Sequence, residues 1–404
     1  MRAENRFIHF LPSDKSMQRL SVELVFLKLQ EWVEYEQFKG WDAFDGLNSR
    51  SFQRTPFCHS RFFRLLWIQF FKVSPINFRA LFKVPKEYNA KGLGLFLTGY
   101  CNKYLLKSDD EDLNKIRLLI EEIFSLRSSG YSGSCWGYNF DWQARAFFQP
   151  KGTPTVVATS FVANALLDAY DILKDESLLK EARSACDFIL NDLHKTYDES
   201  GNFCFSYSPL DKTQVFNASV LGSRLLSRVY SHTKEAVLKI EAQKSIAFCV
   251  SFQREDGAWP YGTLSYHQWV DNFHTGYMIE CISEYQKYTA DYQYETVISK
   301  SLDYYLNSFF EESGIPKYYD KKRYPIDIHG PAQLLVTLSR VGKLQENRQL
   351  VERVLEWVHE NMWDKQGFYY YQKRKWWTSK IPYMRWAQAW MFYALSFYNK
   401  EFDQ

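Results

Sequence analysis

A short turn built from glycine and aromatic residues recurs along the chain, and it limits the possible folds more than any other feature. It reads GNFCF at Gly201, DGAWPYG at Gly257, SGIPKYY at Gly314 and QGFYYY at Gly367, with successive glycines 56, 57 and 53 residues apart. Weaker copies lie at GYSGSCWGY around Gly133 and FKGWDAFDG at Gly40. A period of this length marks one supersecondary unit that buries its apolar face only by stacking on its neighbours.

Each unit holds two helices of different character. ESLLKEARSACDFILNDL (176–193) and NRQLVERVLEWVHENMW (347–363) repeat apolar residues at three- and four-residue intervals, so one stripe is buried and the rest is wet. FVANALLDAYDIL (161–173) and AWMFYALSFY (389–398) are apolar nearly all round and must be enclosed. The pattern predicts outer helices near 16–38, 111–127, 176–195, 233–252, 291–310 and 345–362, with inner partners beginning near 92, 155, 216, 272, 328 and 384. Six hairpins close a ring, an all-α (α/α)6 toroid. The rival, an open solenoid, needs polar capping repeats, and the last helix here ends apolar and aromatic. The expected organisation is a single domain over 1–404. Residues 1–88 hold the first outer helix and an inserted helical segment (51–88), and 89–404 hold the remaining hairpins.

Bulk properties exclude several classes. A net charge of +3 without a basic run argues against a nucleic-acid partner. The seven cysteines are scattered, odd in number and free of CxxC spacing, which speaks against a disulfide framework or a Cys-based metal site. No glycine-rich phosphate loop occurs, so no cofactor is expected. The N-terminus lacks the apolar core of a signal peptide, and the apolar stretch from Leu65 to Phe71 is too short to span a bilayer. A cytoplasmic location is the expectation.

The repeat architecture over residues 90–400 resembles the six-hairpin glycosidase-like toroids, which include glycoside hydrolases, uronyl hydrolases, polysaccharide lyases and sugar epimerases. The strings GWDAFDGLNS (40–49), SPINFRALF (74–82), AKGLGLFLTGY (90–100), WGYNFDWQ (136–143) and WVDNFHTGY (269–277) are similar to a narrower group of bacterial proteins associated with surface-polysaccharide biosynthesis. That likeness implies a glycan or sugar-conjugate substrate. QREDGAW (253–259) also fits the QxxDGxW pattern of terpene cyclases and their prenyltransferase relatives, where it ties outer helix to turn. Only one clean copy occurs, and SDDED (108–112) opens an outer helix instead of supplying an inner-helix DxDD.

Aligning the inner helices by their apolar cores puts Thr159, Ser219, His274, His329 and Ala387 at equivalent positions, facing the bowl where the inner helices begin. Each His follows a carboxylate, Asp271 in DNFH and Asp327 in DIH. A carboxylate can hold an imidazole in one tautomer for acid/base work, or it can cap the helix. Asp141 sits among Trp136, Tyr138 and Trp142, where burial would raise its pKa and suit it as an acid, unless it only bonds its own turn. Asp141 with Asp271 would supply the two carboxyl groups that glycoside hydrolysis uses. Trp136, Tyr138, Trp142, Gln143, Trp259, Tyr277 and Trp386 are expected sugar contacts. Asp42 and Asp45 are expected bowl-lining groups, since D-x-x-D lacks the further ligands of a calcium loop. Arg385 could neutralise an anionic sugar or pair with Asp42 or Asp141 as scaffold. KRKWWTSK (373–380) fits a glycan rim or a solvated loop. Residues 61–84 mix aromatics with spaced Arg and Lys, which suits a helix packed under the toroid or one lying at a membrane interface.

Three functions follow. The first is a hydrolase or lyase using Asp141 and Asp271 with His274. The second is a sugar epimerase or eliminase using His274 and His329. The third is a glycan-binding toroid without catalysis. The paired titratable groups favour an enzyme.

Overall fold

A computed structural model describes residues 21–143 and 148–402. Residues 16–20 of the expected first helix lie outside the described residues. Six inner helices form the ring: α4 (Ala90–Lys107), α6 (Val156–Leu173), α8 (Phe216–Thr233), α10 (Asn272–Thr289), α12 (His329–Arg340) and α14 (Trp390–Phe402). Each packs on the next, and α14 packs on α4 to close the circle. Around them stand α1 (Val22–Tyr35), α5 (Asp110–Ser125), α7 (Glu176–Asn191), α9 (Ala236–Val250), α11 (Glu295–Phe309) and α13 (Arg348–Met362). The fold is the (α/α)6 toroid. Burial follows the sequence pattern: the first twelve residues of α6 are all buried, whereas α7 buries one stripe through Leu178, Ala182, Cys186 and Ile189. α6 is apolar and long enough to cross a membrane, but it lies inside the ring.

The pairing differs from the expected direction. Each inner helix packs against the outer helix that follows it, and α1, left without a preceding partner, packs on α14. Link length explains this. Only Lys174 and Asp175 separate α6 from α7, so the two must be antiparallel neighbours. The return from α7 to α8 instead runs from 192 to 215 and is free to build the bowl. Each tight link is turned by a residue in the left-handed region: Ser108, Lys174, Lys234 and Ala290.

The glycine turns bind the ring circumferentially. An added Cβ on Gly257 would come within 2.4 Å of the Lys300 carbonyl oxygen of α11, and one on Gly367 within 2.6 Å of the Lys28 carbonyl oxygen of α1. Gly367 thus makes across the chain ends the contact that Gly257 makes within the chain. In QREDGAW, Gln253 donates to the Val297 carbonyl at 2.9 Å and the Trp259 indole donates to the Cys249 carbonyl at 3.0 Å, so the motif ties α9 to α11.

The segment between α1 and α4 contains two short helices, α2 (Arg50–Gln53) and α3 (Arg61–Val73). α3 buries Ile68 and Phe71, packs on the turn at 45–48, and places Lys72 in the lining of the bowl. Among the described residues the strands are two or three residues long. The largest group joins Ile326–Asp327 to Gln372–Lys373 and then to Thr378–Ser379, all antiparallel.

Candidate functional site

The returning loops and the first turns of the inner helices enclose a cavity of about 340 Å³. This lies within the range of small-molecule sites, about 300–1,000 Å³. Its walls are flat rings. Tyr261 stacks on Trp269 with centroids 4.3 Å apart, and the Tyr138 and Tyr207 hydroxyls meet at 3.1 Å. Trp142, Phe273 and Trp386 complete the enclosure.

His274 opens α10 in this wall. Asp271, the N-cap, accepts the His274 backbone N–H at 2.9 Å through Oδ1, and its Oδ2 lies 2.8 Å from His274 Nδ1. Asp271 is buried behind the ring, while the His274 side chain keeps 21% of its surface exposed. A proton on Nδ1 leaves Nε2 as the acceptor, so the contact defines the tautomer that can take a proton.

The floor carries a second string of polar atoms. His329 Nε2 lies 3.0 Å from the Tyr277 hydroxyl, which in turn lies 3.4 Å from Lys91 Nζ. His329 stacks face to face on Phe273 at 4.3 Å and packs on Trp390 at 4.1 Å. Its Nδ1 is buried with no hydrogen-bond partner. Burial, then the Lys91, His274 and Arg385 charges, hold His329 well below the usual imidazole range. Burial, followed by Arg385, likewise holds the Lys91 amine well below the usual lysine range, against the pull of Glu280 and Asp42. The Lys91 ammonium position lies 4.2 Å from the Phe161 centroid and 5.1 Å from that of Trp390. Burial also keeps the Tyr277 hydroxyl protonated far above neutrality.

Arg385 and Trp386 come from a wide turn, Met384–Ala389, in which Gln388 N–H reaches back five residues to Tyr383 O. Such turns are frequent at functional sites, and both residues line the cavity. Arg385 holds Asp42 with two bonds, 2.6 and 2.8 Å, and lies over the Tyr138 ring at 5.0 Å. The Trp386 indole donates to Asp327 Oδ1 at 2.9 Å, and Gln372 donates to Oδ2 at 3.1 Å. Burial pushes Asp327 up to about 6 despite these donors.

Tyr138, Trp142, His274, Tyr277, His329, Arg385 and Trp386 therefore share one cavity. Other expected site residues lie elsewhere. Asp141 is half-buried, accepts the Lys151 backbone N–H at 2.7 Å and does not line the cavity; it serves its own loop. Trp136 and Trp259 are buried structural anchors whose indoles donate to the Ile123 and Cys249 carbonyls. Gln143 is buried against Arg64, 2.9 Å away. Asp42 and Asp45 are buried in ion pairs with Arg385 and Arg79 and do not face the cavity. The five-residue register is also corrected. Thr159 and Ser219 bond the Trp136 and Phe205 backbone N–H groups of the turns behind them, and α12 starts at His329 itself. Ala387 lies within the wide turn.

Lys91, Lys72, Tyr207, Tyr261, Trp269 and Tyr318 line the cavity without having been singled out. A lysine in the apolar inner-helix string AKGLGLF is the one sequence signal that marks Lys91. Asp271 lines a small space adjoining the cavity, together with His274, Tyr261 and Trp269.

No family model and no curated relative matches the chain. Solved structures do. The cellobiose 2-epimerase of Bacillus thermoamylovorans B4167 is 12% identical, with a TM-score of 0.59 over 78% of this chain and 89% of that one. A GH76 α-mannanase of Bacteroides thetaiotaomicron is 13% identical, with a TM-score of 0.60 over 78% and 88%. A possible member of the GH105 family from Salmonella enterica serovar Paratyphi A is 10% identical, with a TM-score of 0.58 over 97% of both chains. At such identities the likeness is one of fold: this chain has the toroid architecture of the six-hairpin glycosidase-like enzymes.

Proposed function

We propose that the protein is a carbohydrate-active enzyme that moves a proton at a sugar carbon, as in epimerisation, isomerisation or the related β-elimination. One observation carries this reading. The Asp271–His274 pair and the Lys91–Tyr277–His329 string open on one aromatic cavity, and Asp271 is engaged with His274 through both of its oxygens. Hydrolysis by a carboxylate pair would need two acids flanking the bond, and Asp141 serves its own loop instead.

In this reading the rings hold the apolar faces of the sugar. His274 Nε2 removes the proton beside the carbonyl of an open-chain sugar, and Asp271 stabilises the imidazolium that forms. The protonated Tyr277 hydroxyl, set between His329 and Lys91, supports the developing oxyanion or returns a proton. The cellobiose 2-epimerase among the similar structures supports the reaction class. The resemblance of strings such as GWDAFDGLNS and WVDNFHTGY to surface-polysaccharide proteins is what supports a cell-surface glycan precursor as the substrate. The test is NMR product analysis after incubation with a panel of reducing mono- and disaccharides and uronates. A new stereoisomer or ketose should form, disappear with His274→Ala and persist with Asp141→Asn. Released reducing ends without isomerised product would contradict the reading.

A further inference from the structure

The segment between α1 and α4 supplies a surface that the cavity chemistry does not use. From Gly46 to Lys86 the chain carries eight Lys or Arg and no Asp or Glu. Within it, α3 is apolar on both faces. Ile68 and Phe71 are buried, whereas Phe62, Leu66, Phe70 and Val73 form an exposed stripe at helical spacing. Phe57, Ile76 and Leu81 extend the patch, and Leu81 and Phe62 are 70% and 64% exposed. Arg54 and Lys83 stand exposed on the flanking loops.

We propose that α3 and its flanking loops dock the protein on an anionic membrane surface. Exposed aromatic and aliphatic side chains in a cationic surround match the two parts of such a surface, acyl chains below and anionic headgroups above. A protein partner would also cover an apolar face. What favours the membrane is the single sign of the exposed charge around the patch: Arg50, Arg54, Arg61 and Lys83 are exposed in a segment without carboxylates, and an anionic surface complements them together. Lys72, on the same helix, lines the bowl. Docking by α3 therefore sets the cavity mouth beside the bilayer, where a sugar carried on a lipid would reach it. The docking itself does not depend on the proposed reaction.

The test is flotation of the purified protein with phosphatidylcholine vesicles, with and without phosphatidylglycerol. The anionic vesicles should bind it at least about tenfold more than the neutral ones, and added salt should weaken binding. The variant Phe62→Ser/Leu66→Ser/Leu81→Ser, checked for an unchanged circular dichroism melt, should lose binding. Arg54→Gln/Lys83→Gln should reduce it and leave the residual binding less sensitive to salt. Equal binding to both vesicle types would overturn the proposal, and so would full binding by both variants. A wild-type dimer that ignores vesicles and dissociates in the apolar variant would also overturn it, marking the face as a protein interface.

Discussion

Asp271 accepts from the backbone of His274 with one oxygen and meets its imidazole with the other, so one carboxylate both caps α10 and orients the base. His274→Ala should then cost about 10²–10⁴-fold in kcat, while thermal melts shift by only a few degrees because the ring is partly exposed. Asp271→Ala should lower both kcat and stability, the latter by about 1 kcal/mol for the lost cap. Unchanged kcat in both variants would remove the pair from the chemistry. Asp327 offers a pH test. Burial raises its carboxyl from 3.8 to about 6, so the folded state holds its proton more tightly than the unfolded chain does. Its contribution is complete below about pH 4 and is lost as pH rises through 6, up to about 3 kcal/mol at roughly 1.4 kcal/mol per unit. The stability of Asp327→Asn relative to wild type should therefore increase between pH 4 and 7 in denaturant titrations, and parallel profiles would contradict this. His274 and Asp271 were legible because DNFH joins a cap to an imidazole within one helical turn. Lys91 was not, because its meaning depends on Tyr277 and His329, which reach it only across the closed ring.

The turns and helices were the most legible elements, since their spacing and apolar pattern are local properties. Their partners were less so: the short inner-to-outer links decide which helices pair, and the glycine turns touch the next outer helix in the ring. Gly201 and Gly367 separate the two demands on such a turn. Both have positive φ, but an added Cβ meets nothing within 4 Å at Gly201 and the Lys28 carbonyl oxygen at 2.6 Å at Gly367. Gly201→Ala should cost about 1–2 kcal/mol for the left-handed backbone alone. Gly367→Ala should cost more, about 3 kcal/mol or above, because α1 must also move. Equal losses in chemical denaturation would show that the turn at Gly367 does not hold α1. The expected register failed at Thr159 and Ser219 for a related reason, whereas His274 and His329 line the cavity as expected. Apolar helix cores align to within a residue or so, and one residue turns a side chain by about 100°. Thr159 and Ser219 consequently face the turns behind them.

Across the whole ring, polar groups are divided between two ends. The bowl holds the imidazoles and rings, while the later turns of the inner helices hold a buried ion cluster. There Glu284 meets Arg224 and Arg340, and Arg228 meets Asp168 at 2.7 Å. Glu284→Gln should cost about 3–5 kcal/mol, because it leaves buried guanidinium groups without their charge partner; a loss below about 1 kcal/mol would show the cluster to be well hydrated. α1 packs on α14, so the first described helix completes the last pair of the ring. That the bowl moves a proton at a sugar carbon is most directly tested by solvent exchange. Purified protein incubated in D2O with reducing sugars should place deuterium on the carbon beside the carbonyl, as read by NMR and mass spectrometry, and His274→Ala should abolish it. Turnover of a sugar substrate with no deuterium on carbon would contradict the account.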